Sequence, residues 1–406
     1  NSSHVCGMDI MNGVGGSGEF TRNAYLSIFM APSIARGGKI SSVVPMCPHV
    51  DNNEHSVQIV VTEQGLADLR GLGPVQRAKR IIDSCAHPAY RPYLNRYLTE
   101  SRSGHIRHDL HRCFEKHAEN VTWPQVIPYT DRLDYISPMY NNFGYVVAVE
   151  RMMGQELAER AEYLRIITGE LQRAINHILA IGFLFNELGA MMTPMLYGFT
   201  EREHVLDLWE EAAGSRLMVN YYRFGGVSRD VSDDWLKRCR KVTERLQRKV
   251  DEFEFLLTQN EVFISRARGV SAMPWQEMVR YGVTGPMLRS AGLPYDIRKV
   301  EPYSIYESFD FDIPTYETGD LYDRYRQRIA ETRESLKIVH QALDRIPDGS
   351  IQAGKKAWNP KVPEGELYSR VEHPKGELGF YLVSDGGTNP YRYHVRSPCF
   401  VNLGAL

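Results

Sequence analysis

Three groups of residues in this 406-residue sequence have types and spacings that could do chemistry. The first is Gly13-Val14-Gly15-Gly16-Ser17-Gly18-Glu19-Phe20. Glycines so close together let a backbone approach a ligand and turn its N–H groups inward, a cradle for a phosphate or a developing oxyanion. Taken alone, the cluster fits a plain tight turn equally well. The second is Pro128-Tyr129-Thr130-Asp131-Arg132-Leu133-Asp134-Tyr135, followed by Ser137-Pro138-Met139-Tyr140-Asn141-Asn142. By itself this run fits a salt-bridged loop as well as an active site. Tyrosine, however, joins an apolar ring to a hydroxyl of pKa near 10, so it can hydrogen-bond a carbonyl oxygen and supply a proton when that carbonyl is reduced. The third is His105, His108 and His111, whose spacing by threes is a weak metal signal without further ligands.

Composition narrows the field in which these groups act. At 43% hydrophobic residues the chain supports well-packed cores, and its length allows two or three domains. With 48 basic against 50 acidic residues, no whole-chain field draws in nucleic acid or an anionic membrane. The cysteines at 6, 47, 85, 113, 239 and 399 include no C-x-x-C pair, so reduced thiols in a cytoplasmic setting and no resident metal are expected. Asn1-Ser2-Ser3-His4 has no signal-peptide pattern and reads as the interior of a longer frame. The longest apolar run, Ile178 to Phe185, is far short of the ~20 residues a spanning helix needs.

Positioning elements follow from the periodicity. Up to about residue 98, short β-rich runs (Ala24 to Met30, Ile40 to Val44, Val57 to Thr62) alternate with glycine turns; the last ends as a near-continuous apolar run suited to a strand buried on both faces. Gly73-Pro74 opens a helix that His87-Pro88 closes. From about residue 150 the period becomes that of long helices. Glu156 to Ala190 reads as one or two, apolar on more than one side in its second half and therefore buried. A capping box at Thr200 to Glu203 predicts a helix start, with a stop at Gly214. Ser232 caps a helix striped by Trp235, Cys239, Val242, Leu246, Val250 and Phe253, and Ile329, Leu336, Val339, Leu343 and Ile346 form a similar stripe before Pro347-Asp348-Gly349. Gly379 to Val383 and Tyr391 to Val395, flanking Asp385-Gly386-Gly387-Thr388, predict a hairpin. The expected class is α+β overall: a partial α/β module, then a mainly helical bundle with a terminal β-hairpin.

Gly15 to Asn23, Gly38 to Pro45 and Thr62 to Gly71 closely resemble, in order and without a gap, the C-terminal domain of the acetyl-CoA hydrolase and acetate or succinate CoA-transferase family. The resemblance implies a glutamate nucleophile acting on a CoA thioester through acyl-glutamyl anhydride and glutamyl-CoA intermediates. It places Gly15, Gly16 and Gly18 in the oxyanion loop, with Gly16 at the oxyanion, and makes Glu63 a supporting active-site carboxylate. The family's nucleophile lies upstream of the glycine loop, in a segment that would precede Asn1, and neither Glu19 nor Glu54 matches its motif.

His111 to Lys116, Tyr129 to Tyr135, Ala148 to Arg151, Gly189 to Met191, Tyr221 to Val227 and Leu382 to Gly387 closely resemble the D subunit of NADH-quinone oxidoreductase (complex I), a relative of the [NiFe]-hydrogenase large subunit. That resemblance implies a hydrogenase-like bundle in which Arg132 to Tyr135 stands where the hydrogenases hold a C-x-x-C pair; without thiolates a quinone pocket replaces the nickel site. It makes Tyr135 the ligand of the quinone headgroup and puts Arg112 beside an iron–sulfur cluster in the neighbouring terminal iron–sulfur subunit, where a guanidinium raises the cluster's potential. Glu187 takes the place of an aspartate coupled to a quinone-ligating histidine, and Met218 that of a histidine tied to reduction of the cluster. The family's G-P-x-H-P-x-x-H-G hairpin, source of the second quinone ligand, does not occur in this sequence, and the C-terminal end is short of the family's usual finish. NAD is implied elsewhere in the complex, with other peripheral-arm and membrane-arm subunits as partners, and the location implied is peripheral, on the cytoplasmic face of the bacterial inner membrane.

The two resemblances divide the chain into a CoA-transferase fragment at 1–104, a seam at 105–117 and a domain like the complex I D subunit at 118–406. Three readings are carried forward: a complex I subunit with an N-terminal graft, a CoA-transferase whose nucleophile comes from another chain, or a non-functional composite.

Overall fold

Two regimes of patterning become two units, Asn1–Asn120 and Val121–Leu406. The computed structural model describes residues 4–5, 9–10, 25–35, 38, 40–45, 57–100, 115–189, 193–354 and 359–405. The glycine loop with Gly15, Gly16 and Gly18, Arg112, and His105, His108 and His111 lie outside them.

In the first unit, β1 (His4–Val5) pairs with β2 (Asp9–Ile10), and β4 (Ile34–Ala35) with β5 (Ile40–Ser41). The apolar run after Val57 becomes β6 (Ile59–Thr62), parallel to β3 (Ile28–Met30) and antiparallel to β7 (Gly65–Asp68). Its end residues are buried, whereas Val60 and Val61 are only partly covered, so the strand is less enclosed than its composition suggested. Helix α1 (Pro74–Cys85) begins at the expected Gly73-Pro74, where the Gln76 side chain accepts the Gly73 N–H at 3.0 Å. Its Cys85 packs with Ala67 and Leu69. Helix α2 (Arg91–Glu100) follows.

The second unit is built on α3 (Trp123–Thr130), α4 (Pro138–Met153), α5 (Glu159–Glu187), α6 (Thr193–Ala213), α7 (Asp233–Leu257) and α8 (Leu321–Arg345). Helix α5 packs along α6 and α8, and α7 against the same two. The Glu156 to Ala190 run yields one long helix; Ile175, Ile178 and Leu179 are buried as expected, Phe183 is 43% exposed, and the buried stretch also encloses Arg165, Glu170, Arg173 and His177. Ser232 caps α7 as read, its hydroxyl accepting the Trp235 N–H at 3.1 Å, a contribution of about 1 kcal/mol. Thr243 rather than Val242 completes the buried stripe. The predicted start at Thr200 is overturned: α6 begins seven residues earlier, and the Thr200 hydroxyl donates to the Leu196 carbonyl at 3.0 Å inside it. Tertiary packing against α5 carries the helix back through a segment whose capping-box letters never act as a cap.

A hairpin of β8 (Tyr222–Arg223) and β9 (Gly226–Val227) precedes α7. The C-terminal hairpin is also larger than read. β10 (Gly365–His373), β11 (Gly376–Ser384) and β12 (Arg392–Arg396) form one antiparallel sheet with β11 central. Helix α4 lies on it, and at Gly144 a Cβ would come within 2.8 Å of the Phe380 ring, so only glycine permits the approach.

Ionic groups occupy this interior. The fully buried Arg165 donates to both Glu150 oxygens (3.0 and 2.7 Å), to Glu162 (2.9 Å) and to the carbonyls of Arg223 and Gly226, tying α4 and α5 to the β8–β9 turn. Arg216 is likewise paired with Glu203, Asp207 and Glu210, but at the surface. Arg165→Leu should therefore cost about 3–5 kcal/mol in urea unfolding, because it leaves two buried carboxylates unpaired. Arg216→Ala should cost no more than about 1 kcal/mol in the same titration. Equal losses would refute this division.

Candidate functional site

The loop that carries Tyr135 is held from three sides. Asp131 to Leu133 form a short 3-10 turn after α3, and Ser137-Pro138 opens α4. From α4, Asn142 donates to Asp131 Oδ1 (2.6 Å), Thr130 Oγ1 (2.9 Å) and the Ile127 carbonyl (3.1 Å), while Asn141 donates to the Asp134 carbonyl (3.0 Å). From α5, Gln172 donates to the Ile136 carbonyl (2.8 Å) and Asn176 to Ser137 Oγ (2.6 Å). The backbone N–H of Asn220 donates to Asp131 Oδ2 at 3.0 Å. Met218 and Asn220 both have φ in the left-handed region (53° and 44°), so the turn that reaches Asp131 is strained and the carboxylate helps hold it. Burial pushes Asp131 up to about 8, against Arg132, the Asn220 N–H and Arg223, which pull it down.

Tyr135 itself stands 63% exposed at the edge of a cavity of about 330 Å³. Its apolar liners are Leu133, Ile136, Leu378, Val395 and Pro398. Its polar liners are Arg132, Asp134, Asn141, His373, Lys375, Ser397 and Cys399. His373 ends β10, and Lys375 lies in the turn to β11. That turn is pinned by close packing, since a Cβ on Gly376 (φ +127°) would meet Thr284 Oγ1 at 2.7 Å.

Asp134 joins the two basic residues. Its Oδ2 lies 2.6 Å from Lys375 Nζ and 3.6 Å from His373 Nε2. Burial pushes the imidazole down to about 3, so it is neutral at pH 7. Its Nδ1 accepts the Lys375 backbone N–H at 3.2 Å, which assigns the proton to Nε2. Burial raises the Asp134 carboxyl, but neighbouring positive charge outweighs it and the net shift is downward. The groups that lower it are His373 first and Lys375 next.

Behind this wall lies a second buried network. Glu170 accepts hydrogen bonds from Tyr140 (2.7 Å), Tyr306 (2.6 Å), Arg173 (3.2 Å) and Arg298 (3.2 Å). Despite burial, the two guanidiniums and two phenols hold it down at about 2. Arg289 meets Glu331 at 2.7 Å and Glu372 at 2.8 Å, and Glu331 also accepts from His177 Nε2 at 3.0 Å. Burial pushes His177 down to about 4, against the pull of Glu331.

The other residues singled out from the sequence stand apart from Tyr135. Glu187 is exposed in the last turn of α5, eleven positions beyond Asn176 and so roughly 16 Å further along the axis, and it does not line the cavity. In the first unit, Glu63 is exposed, and its carboxylate accepts the Ser33 N–H (2.7 Å) and the Ser33 hydroxyl, which hold it down at about 2. Among the described residues, Cys85, Cys239 and Cys399 are free thiols, and no three His, Cys, Asp or Glu side chains gather as a metal cluster. Asp134, His373 and Lys375 were missed as site residues. The turn letters Pro374-Lys375-Gly376 between apolar runs signalled a hairpin that would have brought His373 and Lys375 together, but nothing local tied them to Asp134.

Comparison with known proteins divides the chain similarly. Residues 1–98 match the acetyl-CoA hydrolase/transferase C-terminal domain. Residues 187–361 and 354–406 match the respiratory-chain NADH dehydrogenase 49 Kd subunit. The chain is 49% identical over 297 residues to the NADH-quinone oxidoreductase D subunit of Dehalococcoides mccartyi, covering 73% of this chain and 81% of the relative. It is 48% identical over 306 residues to the D 1 subunit of Roseiflexus sp. and 42% identical over 321 residues to the D subunit of Geotalea uraniireducens; each match covers 73% of this chain, with 81% and 82% of the relatives.

His177 and His373 make the fold acid-sensitive. In the folded state both stay neutral well below 6.5, the ordinary value at which the unfolded chain takes up its protons. Between pH 6.5 and 4 the unfolded state thus binds more protons, and stability falls as pH falls. For His177 the effect is worth up to about 3 kcal/mol. Urea titrations across this range should show the decline, and His177→Gln should flatten it; a slope unchanged by the substitution would contradict the assignment.

Proposed function

The chain belongs to the D-subunit family of NADH-quinone oxidoreductase, and from that premise we propose that the cavity beside Tyr135 is its share of the quinone site. The protein is the D-type component of this oxidoreductase, whose other subunits are its partners and whose electron acceptor is quinone. One observation supports the pocket most: an exposed phenol lines a cavity whose other liners include both apolar and polar side chains. Leu133, Ile136 and Leu378 suit the face of a quinone ring, while the Tyr135 hydroxyl suits its carbonyl, donating a hydrogen bond to the oxygen that gains charge on reduction.

On this reading the electrons come from an iron–sulfur cluster of the terminal iron–sulfur subunit, beside Arg112, and NAD is bound elsewhere in the complex. Glu187 lies at the end of α5, outside the cavity, and its proposed coupling reaches the quinone through other residues. Met218 has no titratable group, so proton coupling at its position is absent. On this reading the chain is peripheral, on the cytoplasmic face of the inner membrane; among the described residues no helix is long and apolar enough to cross a membrane. On the same reading the seam between the two modules is 105–117, a few residues before the division of the two compact units at Asn120 and Val121.

For the first module, CoA-transferase chemistry is the alternative. On that alternative Glu63 is a supporting carboxylate, kept ionised by its hydrogen bonds from Ser33, and the attacking glutamate would come from another chain. Purified chain incubated with labelled acetate and an acyl-CoA should show no exchange; measurable exchange would restore that alternative. In the assembled complex, Tyr135→Phe should lower quinone reduction at least about tenfold while NADH oxidation by an artificial acceptor persists. Unchanged quinone turnover would remove Tyr135 from the site.

A further inference from the structure

One oxygen of Asp134, Oδ2, is buried without a well-formed hydrogen bond and has two basic side chains near it. Lys375 Nζ stands 2.6 Å from Oδ2, and His373 Nε2 stands 3.6 Å from the same atom, just beyond hydrogen-bonding distance. The imidazole is 1% exposed, its Nε2 is buried without a hydrogen-bond partner, and it belongs to the cavity wall. A buried donor left unpaired is unfavourable by about 1–3 kcal/mol unless a partner is within reach. Here Asp134 Oδ2 stands 3.6 Å away, close enough for a small movement to pair them. The lysine differs in kind: its side chain is 31% exposed, lines the cavity and is long enough to swing.

We propose that Lys375 is the cation of the quinone pocket that meets the negative charge of the reduced headgroup, and that His373 frees it by taking its place on Asp134. This rests on the quinone reading of the Tyr135 cavity. Two electrons and two protons convert the quinone to the quinol; whenever an electron arrives ahead of its proton, a headgroup oxygen carries negative charge. Lys375 turns to that oxygen. Left alone, Asp134 would be a largely buried, unpaired carboxylate, and abandoning it would oppose the movement. The His373 Nε2–H closes the gap and donates to Oδ2, so the carboxylate exchanges one donor for another. No proton leaves the lysine or the histidine. Asp134 and His373 act as positioning residues, while Lys375 touches the substrate.

The test uses the assembled complex with NADH and a short-chain benzoquinone, and an artificial acceptor that bypasses the quinone site to report assembly. Charge appears only on reduction, so Lys375→Gln should lower kcat about tenfold with KM little changed. His373→Leu should do the same, His373→Gln, which keeps an N–H donor, should return to within about twofold of the parent, and the double variant His373→Leu with Lys375→Gln should be no worse than Lys375→Gln alone. Parental turnover in His373→Leu, or additive losses in the double variant, overturns the exchange. Where His373→Leu does not assemble, the comparison of His373→Gln with Lys375→Gln decides: near-parental against tenfold-reduced kcat supports the proposal, and equal rates overturn it. Tyr135→Phe is run alongside; unchanged turnover there refutes the quinone reading, whereas impaired turnover there with parental His373→Leu refutes only the donor exchange.

Discussion

Burying guanidiniums and carboxylates together is the constraint on which the second unit depends. Arg173, Arg289 and Arg298 face Glu170, Asp296, Glu331 and Glu372 in the space between α5, α8 and β10. Each ion removed from water costs several kcal/mol, and only well-aligned partners offset that cost. The geometry meets the demand: Arg289 reaches two carboxylates below 3 Å, and Glu170 collects two phenols as well as two guanidiniums. Such a set tolerates little displacement. It fixes the end of β10 relative to α5 and α8, and with it His373.

The cavity inherits this rigidity on one wall and receives it independently on the other. Asn141 and Asn142 from α4, with Gln172 and Asn176 from α5, hold the Asp131 to Ser137 loop by side-chain amides that satisfy its backbone and side-chain acceptors. The helices thus hold the loop that carries Tyr135, and the phenol stays 63% exposed. Asp134 is the link between walls. It caps the backbone of its own loop, accepting the Ile136 N–H at 3.2 Å, and reaches Lys375 across the cavity.

Legibility differed with the range of the interaction. Helix α7 was readable because a cap and a stripe of apolar residues at alternating threes and fours are local signals, and Ser232, Trp235 and Leu246 behave as their types require. Helix α6 was misread at its start because the same capping letters occur inside helices, where packing on α5 overrides them. β10 was overlooked because Glu366, Ser369, Arg370 and Glu372 interrupt its apolar residues, and their polarity is answered only by distant partners such as Glu301 for Arg370. Glu63 shows the limit from the other direction: its motif was legible, but the partner that holds its carboxylate, Ser33, is thirty residues away.

The sequence by itself determined the two family identities, the helical stripes and Tyr135 as a residue able to serve a carbonyl, because these rest on residue type and short spacings. Tertiary structure alone decided that Asp134, Lys375 and His373 meet, that Glu187 does not line their cavity, and that His373 carries its proton on Nε2. Those facts depend on residues some 240 positions apart being brought within about 4 Å, and on burial changing what an imidazole or a carboxylate can do. Residue type names the groups that can donate and accept; only folding decides which of them share an oxygen.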